Sequence, residues 1–421
     1  MTGSSAPQEN PSAQETVSVS VRPWGSLRYA QYRLLTGSGL LGSMGMQMRE
    51  VVNFWVVFQL TSSALHLGLL GALRVLPLLV IGLLGGLLAD MVDRRKILMV
   101  GYGTSLLTTG ALAVLFATGN LELWHVYATT LVASTATVLD GPARTALIYG
   151  SVPRSHLTNA LTIASSTHHS SVLIGPSVGG LLISFSGIGA AYAVTAAIYL
   201  PALAAVLMLS DARPAEGRAR PRLGWSAMIE GIRWVWRTPV VLAFLTVDFS
   251  AIVFTSYKVL LPIYADKLGV GVAGFGFLTS APGVGFLIGS AFLLAVGDVR
   301  RKGLTVTIGI VGYVAAVFVF AVSPWFIMSL AALALAGGFD GVSAIIRRTT
   351  LQLLVPDDIR GRATSVVQVF TRGTTSLGLM GTGGVATVLG AGGALLAGGV
   401  FALVVLGAVT LRWRQMLTFR L

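Results

Sequence analysis

Apolar windows of about twenty residues recur from one end of this chain to the other. A helix of roughly 20 apolar residues is long enough to cross the ~30 Å hydrocarbon core of a bilayer. Because that core contains no water to satisfy backbone polar groups, such segments must be helical. Twelve windows fit this description, at residues 34–58, 67–88, 97–117, 123–139, 161–182, 190–209, 240–263, 275–296, 304–322, 325–346, 363–389 and 392–411. The pattern predicts an all-α integral membrane protein with twelve transmembrane helices.

Charge distribution predicts the orientation of these helices. Only 11% of the 421 residues are charged, whereas soluble domains carry about 25%. The net charge of +13 would suggest nucleic-acid binding in a soluble protein. Here the basic residues concentrate in alternate interhelical segments, and the intervening segments hold only Lys267. By the positive-inside rule, we expect an even number of crossings of the bacterial cytoplasmic membrane, with both termini in the cytoplasm and no nucleic-acid partner.

The polar segment 211–238 divides the chain nearly in half. Its first part is rich in proline and arginine, and its second part has the apolar spacing of a helix that lies along the inner membrane face. Six predicted helices fall in residues 24–210 and six in residues 239–413. Residues 1–23 lack an apolar run and are expected to form a disordered cytoplasmic tail, and residues 414–421 a second cytoplasmic tail.

The two halves carry matching motifs. Residues 85–98 and 289–304 each place an aspartate shortly before Arg-Arg-Lys, after the second window of their half. Residues 139–160 and 339–363 both contain Asp-Gly, then an arginine, and then Val-Pro. In transporters built from such parallel repeats, the substrate path lies between the halves, which rock against each other. The repeat therefore predicts two pseudo-symmetric six-helix bundles around a shared path.

Three stretches resemble motifs of the major facilitator superfamily. Residues 86–96 (Gly-Leu-Leu-Ala-Asp, then Asp-Arg-Arg-Lys) resemble the loop motif between its second and third helices. Residues 175–180 (Gly-Pro-Ser-Val-Gly-Gly) resemble its antiporter motif. Residues 140–144 and 157–160 are similar to the branch that contains the enterobactin exporter and the macrolide-efflux proteins. The resemblance implies the major facilitator fold and drug:proton antiport.

The loop motif supplies candidate gating residues. The resemblance implies that Asp90 accepts hydrogen bonds from the N-terminus of the eleventh span, where unpaired N–H groups favour an anion. Gly86 belongs to the same motif, and Asp93, Arg94 and Arg95 would add charge pairs that hold the inside closed. Alternatively, these charges only end the helix and set its orientation.

Two further pairs of charges lie at the predicted inside ends. Asp140 and Arg144 are four residues apart on one helical face and can pair. In the second half, Asp340 with Arg347 or Arg348 repeats this arrangement. We interpret these residues as gating or packing pairs and not as substrate ligands.

In the antiporter-like motif, Pro176 removes a backbone donor, and Gly175, Gly179 and Gly180 lack side chains. The helix can therefore bend and pack closely against a neighbour. Simple small-residue packing is the alternative to an antiport role.

Glu50 is the acidic residue that lies deepest in the predicted first half. It follows Leu34 by sixteen residues, about 24 Å along a helix, and ionisable groups at such depth are functional candidates by default. We expect Glu50 to couple transport to protons or another cation. The structural alternative is a fixed salt bridge with Arg49 or Arg74. Adjacent helix residues point about 100° apart, which favours Arg74.

Each of the other polar residues within the windows has two possible interpretations. Asp248 would bind a cationic group or a proton, or be paired structurally. Arg372 would attract an anionic group, or pair with Glu50 or Asp248. His168 and His169 lie in a run of serines and threonines, where a proton relay competes with hydrogen bonding to substrate or to a neighbouring helix.

We therefore predict a monomeric, proton-driven exporter of a small amphipathic molecule such as a drug, macrolide or siderophore. An importer or a lipid flippase is the alternative, and a non-transporting membrane sensor is a weaker one. No nucleotide-binding loop, nucleophile–base pair or cysteine occurs. The sequence therefore favours neither an enzyme nor a bound metal or cofactor.

Overall fold

The computed structural model of the protein describes residues 24–81, 93–210, 225–297, 299, 301–356 and 359–413. Throughout these residues the regular secondary structure is helical, and no strand occurs in them. The predicted tails 1–23 and 414–421, residues 211–224 of the linker, Gly86 and Asp90 lie outside the described residues. The predicted all-α class is confirmed.

The α-helices of the described residues, in chain order, are α1 Ala30–Thr61, α2 Ala64–Ile81, α3 Arg94–Ala117, α4 Leu123–Thr137, α5 Asp140–Ser151, α6 Leu157–Leu207, α7 Trp225–Arg237, α8 Pro239–Phe254, α9 Leu261–Lys267, α10 Gly271–Val296, α11 Lys302–Val322, α12 Phe326–Leu354 and α13 Arg360–Arg412. Each of the twelve apolar windows overlaps one of these helices. Seven helical stretches of the described residues are long and apolar enough to span a membrane. The count of twelve crossings stays a prediction.

Helices α6 and α13 each contain two of the predicted spans, separated by a glycine with a positive φ angle. Gly187 has φ 82° and ψ 171°, and Gly390 has φ 71° and ψ 168°. Glycine adopts this conformation readily because it has no Cβ. The backbone therefore leaves the helical conformation at these positions, between windows 161–182 and 190–209 and between windows 363–389 and 392–411.

The apolar core is shared between the halves at one end of the bundle and divided at the other. We call the end with turns at residues 62–63 and 118–122 the far end, and the end where α1 and α3 begin the basic end. One cluster at the far end contains Val52 of the first half together with Phe320 of the second. At the basic end, a cluster around Leu98 and a cluster around Phe244 each belong to a single half.

Many large apolar side chains face outward. Leu107, Phe185 and Leu294 are 73%, 83% and 85% exposed. Exposed apolar surface of this extent is unfavourable in water, and it matches a bilayer as the surrounding solvent. Helix α7, in the predicted linker, exposes Ile229 and Trp236, as expected for a helix that lies along the membrane face.

Candidate functional site

At the far end, glycines bring helices of the two halves into backbone contact. A Cβ on Gly180 of α6 would lie 2.7 Å from the carbonyl oxygen of Val272, near the start of α10. A Cβ on Gly383 of α13 would lie 2.6 Å from the carbonyl oxygen of Ala64, at the start of α2. No residue larger than glycine fits at either position without movement. The α6–α10 and α2–α13 contacts therefore close the far end tightly.

Polar and aromatic contacts reinforce this closure. Ser177 and Ser280 form a hydrogen bond between their hydroxyl oxygens at 2.7 Å, and the backbone N–H of Ser177 donates to the same Ser280 oxygen at 3.1 Å. The rings of Trp55 and Phe275 stack with their centroids 5.9 Å apart. Both contacts join the first half to the second.

Toward the basic end, a cavity of about 470 Å³ lies within the first half. This volume falls within the usual range of small-molecule sites, about 300–1,000 Å³. Residues of α1, α3, α5 and α6 line it, together with the last residue of α4 and the turn that follows. Its charged and imidazole-bearing residues are Arg49, Asp140, Arg144 and His168. The cavity thus combines side chains that the sequence analysis had assigned separately to gating and to substrate or proton binding.

Glycines of α1 shape one wall of this cavity. A Cβ on Gly42 would lie 2.2 Å from the ring of Tyr102, and a Cβ on Gly45 would lie 2.9 Å from the ring of Tyr199. A Cβ on Gly39 would lie 2.7 Å from a guanidinium nitrogen of Arg144. Large side chains of α3, α5 and α6 can therefore lie directly against the α1 backbone.

Arg144 binds α1 and α3 instead of forming an ion pair with Asp140. Its guanidinium donates to the carbonyl oxygen of Leu35 at 2.7 Å and to the hydroxyl oxygen of Tyr102. The Asp140 carboxylate lies against Gly101, and its Oδ1 atom is buried with no hydrogen-bond partner in the described part of the chain. Within the described residues no salt bridge joins Asp140 to Arg144, although the two charges interact electrostatically, and their role as a gating or packing pair stays a prediction.

Glu50 forms an ion pair with Arg74 of α2, the partner that helix geometry favoured over Arg49. The two side chains are 24% and 33% exposed. Arg49, the adjacent residue, points into the cavity and is only 9% exposed. The adjacent residues Arg49 and Glu50 therefore have different environments: Arg49 lies at the cavity and Glu50 contacts α2.

Asp248 of α8 pairs with Arg347 of α12, with an O–N distance of 2.6 Å and side-chain exposures of 8% and 13%. Arg347 also contacts Asp340 at 3.7 Å and donates to the Ser343 hydroxyl at 2.9 Å. Asp248 therefore forms a structural ion pair, which was one of its two predicted roles. Its partner is Arg347, which was expected to pair with Asp340. The side chain of Arg372 lies outside the described part of α13.

The two histidines have different neighbours. His168 lines the cavity, whereas the ring of His169 stacks on Phe286 of α10 with centroids 4.8 Å apart. Their own ring centroids are 5.9 Å apart. His169 therefore contacts the opposite half, and His168 contacts the cavity.

The described part of the loop motif has structural contacts. Asp93 caps α3, accepting a hydrogen bond from the backbone N–H of Arg95 at 2.9 Å. Arg95 donates to the carbonyl oxygen of Val206 at 3.1 Å, which fixes the α3 start to the α6 end. Arg94 begins α3.

The antiporter-like glycines face two different helices. Cβ atoms on Gly175 and Gly179 would contact Gln47 and Met48 of α1, at 2.7 Å and 3.2 Å, whereas Gly180 faces α10. Pro176 lies inside the same continuous helix, and its carbonyl oxygen contacts the second half at Gly276. The close packing expected from this motif is present on both sides of α6.

Several residues of these contacts were not found from the sequence. They are Tyr102 and Tyr199 in the cavity, and Gly276, Gly383, Ser177 and Ser280 at the far end. Glycines three residues apart on α1 were the available signal for the cavity wall. The far-end contacts had no local signal, because they join segments about a hundred residues or more apart in the chain.

A bundle of helices with exposed apolar side chains, joined at one end and containing a cavity toward the other, has the architecture of a membrane transporter of the major facilitator type. The chain belongs to the family described as transmembrane secretion effectors, whose model matches residues 21–418. The family and the structural neighbours are transporters and not enzymes.

Relatives and solved structures agree with this assignment. The chain is 26% identical to the enterobactin exporter EntS of Shigella boydii serotype 4 (strain Sb227) over 350 residues, covering 79% of this chain and 78% of the relative. It is 27% identical to the EntS protein of Escherichia coli O9:H4 (strain HS), with the same coverage. The fold is shared with an inward-facing bacterial homologue of the human lysosomal transporter Spinster, at TM-score 0.71, 16% identity and coverage of 93% and 98%. It is also shared with the nucleoside transporter NupG, at TM-score 0.67, 13% identity and coverage of 93% and 100%.

Proposed function

We propose that this protein is a proton-coupled exporter of a small amphipathic molecule and that it works by alternating access. One observation carries the proposal: the halves share a core at the far end and have separate cores at the basic end, and the first half contains a cavity toward that basic end. Rocking the halves about this arrangement would open the far end and close the basic end.

The direction of transport and the substrate type rest on the relatives. The description of the matched family refers to secretion, and the relatives are named as exporters of enterobactin. A siderophore, or a drug or macrolide of similar amphipathic character, fits a cavity lined by both apolar and polar side chains.

For the coupling site we propose the Glu50–Arg74 pair. Protonation of Glu50 would remove the negative charge that holds Arg74, so the two helices α1 and α2 would be free to separate. Proton binding would thereby change a contact between helices of the first half.

We further propose that the basic end faces the cytoplasm, with both termini on that side, and that the protein acts as a monomer. Since the chain contains no cysteine, a cysteine introduced at exposed Arg154 gives a clean orientation test. An impermeant maleimide should label it in inside-out vesicles and not in intact cells. Labelling in intact cells would contradict the orientation.

Transport is tested in inside-out membrane vesicles with an acidified lumen, using a macrolide, a cationic dye and a catecholate siderophore as probes. We expect at least one probe to accumulate, and the accumulation to collapse with a protonophore. Glu50→Gln should abolish pH-driven accumulation but leave downhill exchange intact, while the exposed Asp266→Asn should change neither.

If the accumulation of every probe were the same with and without the pH gradient, proton coupling would be contradicted. Normal pH-driven accumulation in Glu50→Gln would contradict the assignment of the coupling residue.

A further inference from the structure

One face of helix α7 packs against the second half at the basic end. Val235 is only 5% exposed, and Trp234 packs against the apolar cluster around Ile359, where α12 ends and α13 begins. Thr238 alone separates α7 from α8, and α8 starts a stretch that is long and apolar enough to span a membrane. Helix α7 therefore lies at the level where α8 enters the membrane.

The opposite face of α7 is exposed and has an apolar side and a basic side. Ile229 and Trp236 are 49% and 68% exposed, and Arg233 and Arg237 are exposed as well. Because successive helix residues are about 100° apart, these four side chains share a strip about 100° wide. Around the helix, Trp236 and Ile229 come first, and the two arginines follow. This is the arrangement of an interfacial amphipathic helix.

The two arginines of this face have no protein partner among the described residues. The ion pairs found there join other side chains. Glu230, at the border of the face, is the only acidic residue of α7. Residues 211–237 as a whole contain six arginines and three acidic residues. The exposed face and the sequence that leads into it therefore carry a net positive charge.

The headgroup region of a bilayer matches both properties of this face. Tryptophan is enriched at the membrane–water interface, and arginine keeps its alkyl part on apolar surface while its charge reaches the headgroups. Clustered basic residues next to a membrane span are attracted to anionic lipids. A soluble acidic partner would match the charges, but it would leave the apolar side of the strip uncovered at the depth that α8 sets.

We propose that the exposed face of α7 binds anionic phospholipids in the leaflet at the basic end. Trp236 and Ile229 enter the interface, and the guanidinium groups of Arg233 and Arg237 contact phosphate oxygens. This inference goes beyond the proposed transport function and does not depend on it. Because α7 packs where α12 meets α13, bound lipid would also hold the second half against the membrane surface.

The test measures which lipids surround α7 in the full-length protein. The chain has no cysteine, so Ile229→Cys can carry a single fluorophore. The protein is placed in phosphatidylcholine bilayers that contain a small fraction of a quencher lipid, with a nitroxide on the acyl chain close to the headgroup. The quencher is either phosphatidylglycerol or phosphatidylcholine. We expect both to quench, and phosphatidylglycerol to quench severalfold more strongly at equal fraction. High salt should reduce the difference.

Charge variants assign this preference to the two arginines. Arg233→Gln and Arg237→Gln should each lower the preference for phosphatidylglycerol about fivefold at low salt. The double Arg233→Lys/Arg237→Lys variant keeps both charges and should keep most of the preference, which also verifies that α7 tolerates substitution. Arg154→Gln removes an exposed positive charge from the basic end of the first half and should change nothing.

Three results would overturn the proposal. Equal quenching by the two lipids would show that α7 does not select anionic headgroups. Quenching by neither lipid would show that the exposed face meets water or a soluble partner. An undiminished preference in Arg233→Gln/Arg237→Gln, or an equal loss in Arg154→Gln, would show that the two arginines are not the site. Vesicle transport is measured separately, so failure of proton coupling would leave the lipid result unaffected.

Discussion

Buried charges of this protein differ in how far the surrounding helices compensate them. Arg49 has no partner among the described residues, whereas Arg347 contacts two carboxylates. Of those two, Asp248 is nearly buried and Asp340 is about half exposed. Removing one member of a buried pair leaves an uncompensated charge, which costs more than the pair itself contributes.

For Arg347→Gln we expect a loss of about 3 kcal/mol in the free energy of unfolding, because Asp248 remains buried without its partner. Asp248→Asn should cost less, since Arg347 keeps its contact with Asp340. The double variant should be more stable than Arg347→Gln alone. Denaturant unfolding in mild detergent measures all three.

Asp340→Asn is the control for this series. Its side chain is 52% exposed, so the change should stay within about 0.5 kcal/mol. Equal losses for Asp248→Asn and Arg347→Gln would contradict the argument.

Helices of opposite halves meet through glycine at the far end, and this determines how closely they approach. In lipid, helix association depends on close packing and not on a hydrophobic force, so small residues dominate the contacts. Gly383 touches the α2 backbone, while the next residue, Gly384, has nothing within 4 Å of its would-be Cβ. These adjacent positions give a matched comparison on a single helix.

We expect Gly383→Val to separate α13 from α2, at an overpacking cost of about 1–3 kcal/mol. Gly384→Val should leave the contact intact. A cysteine at the fully buried Leu67 of α2 reports the change, since the chain has no other cysteine. It should react with a water-soluble thiol reagent about tenfold faster in the Gly383→Val background.

The same reactivity in both valine variants would show that contact with α2 does not depend on Gly383. A loss of helical signal in either variant would identify a folding defect instead of a local opening.

The whole protein combines a shared core at the far end with divided cores at the basic end. This asymmetry corresponds to one of the two states that the proposed alternating access would require. A complete cycle would require the Ser177–Ser280 bond between the halves to break.

We therefore expect that a cross-link between Ser177→Cys and Ser280→Cys stops transport. The native hydroxyl oxygens are 2.7 Å apart, so oxidation or a short bifunctional thiol reagent should join the two cysteines. Vesicle uptake should fall to background after cross-linking with an oxidant and recover with a reductant. Each single-cysteine variant should be unaffected by the same treatment, and native transport by the cross-linked protein would show that the far end does not open.

Much of the fold follows from local sequence. The apolar windows predict helices because a bilayer accepts no unpaired backbone groups, and each window overlaps a described helix. Gly175, Gly179 and Gly180 were correctly expected to pack closely, since a helix residue without a side chain admits a neighbour. The Glu50–Arg74 pair was the favoured one of two candidates, because the angle between successive helix residues left Arg49 pointing elsewhere.

Side-chain partners were decided only by the tertiary structure. The sequence around Arg144 does not show whether its side chain bonds to α1 or pairs with Asp140. The sequence around Arg347 likewise does not show that it pairs with Asp248. Lipid and protein core are equally apolar, so hydrophobic periodicity does not reveal which face of a membrane helix meets a neighbour. The sequence by itself therefore determined which segments enter the membrane, and the relative rotation and depth of packed helices determined which polar groups meet inside it.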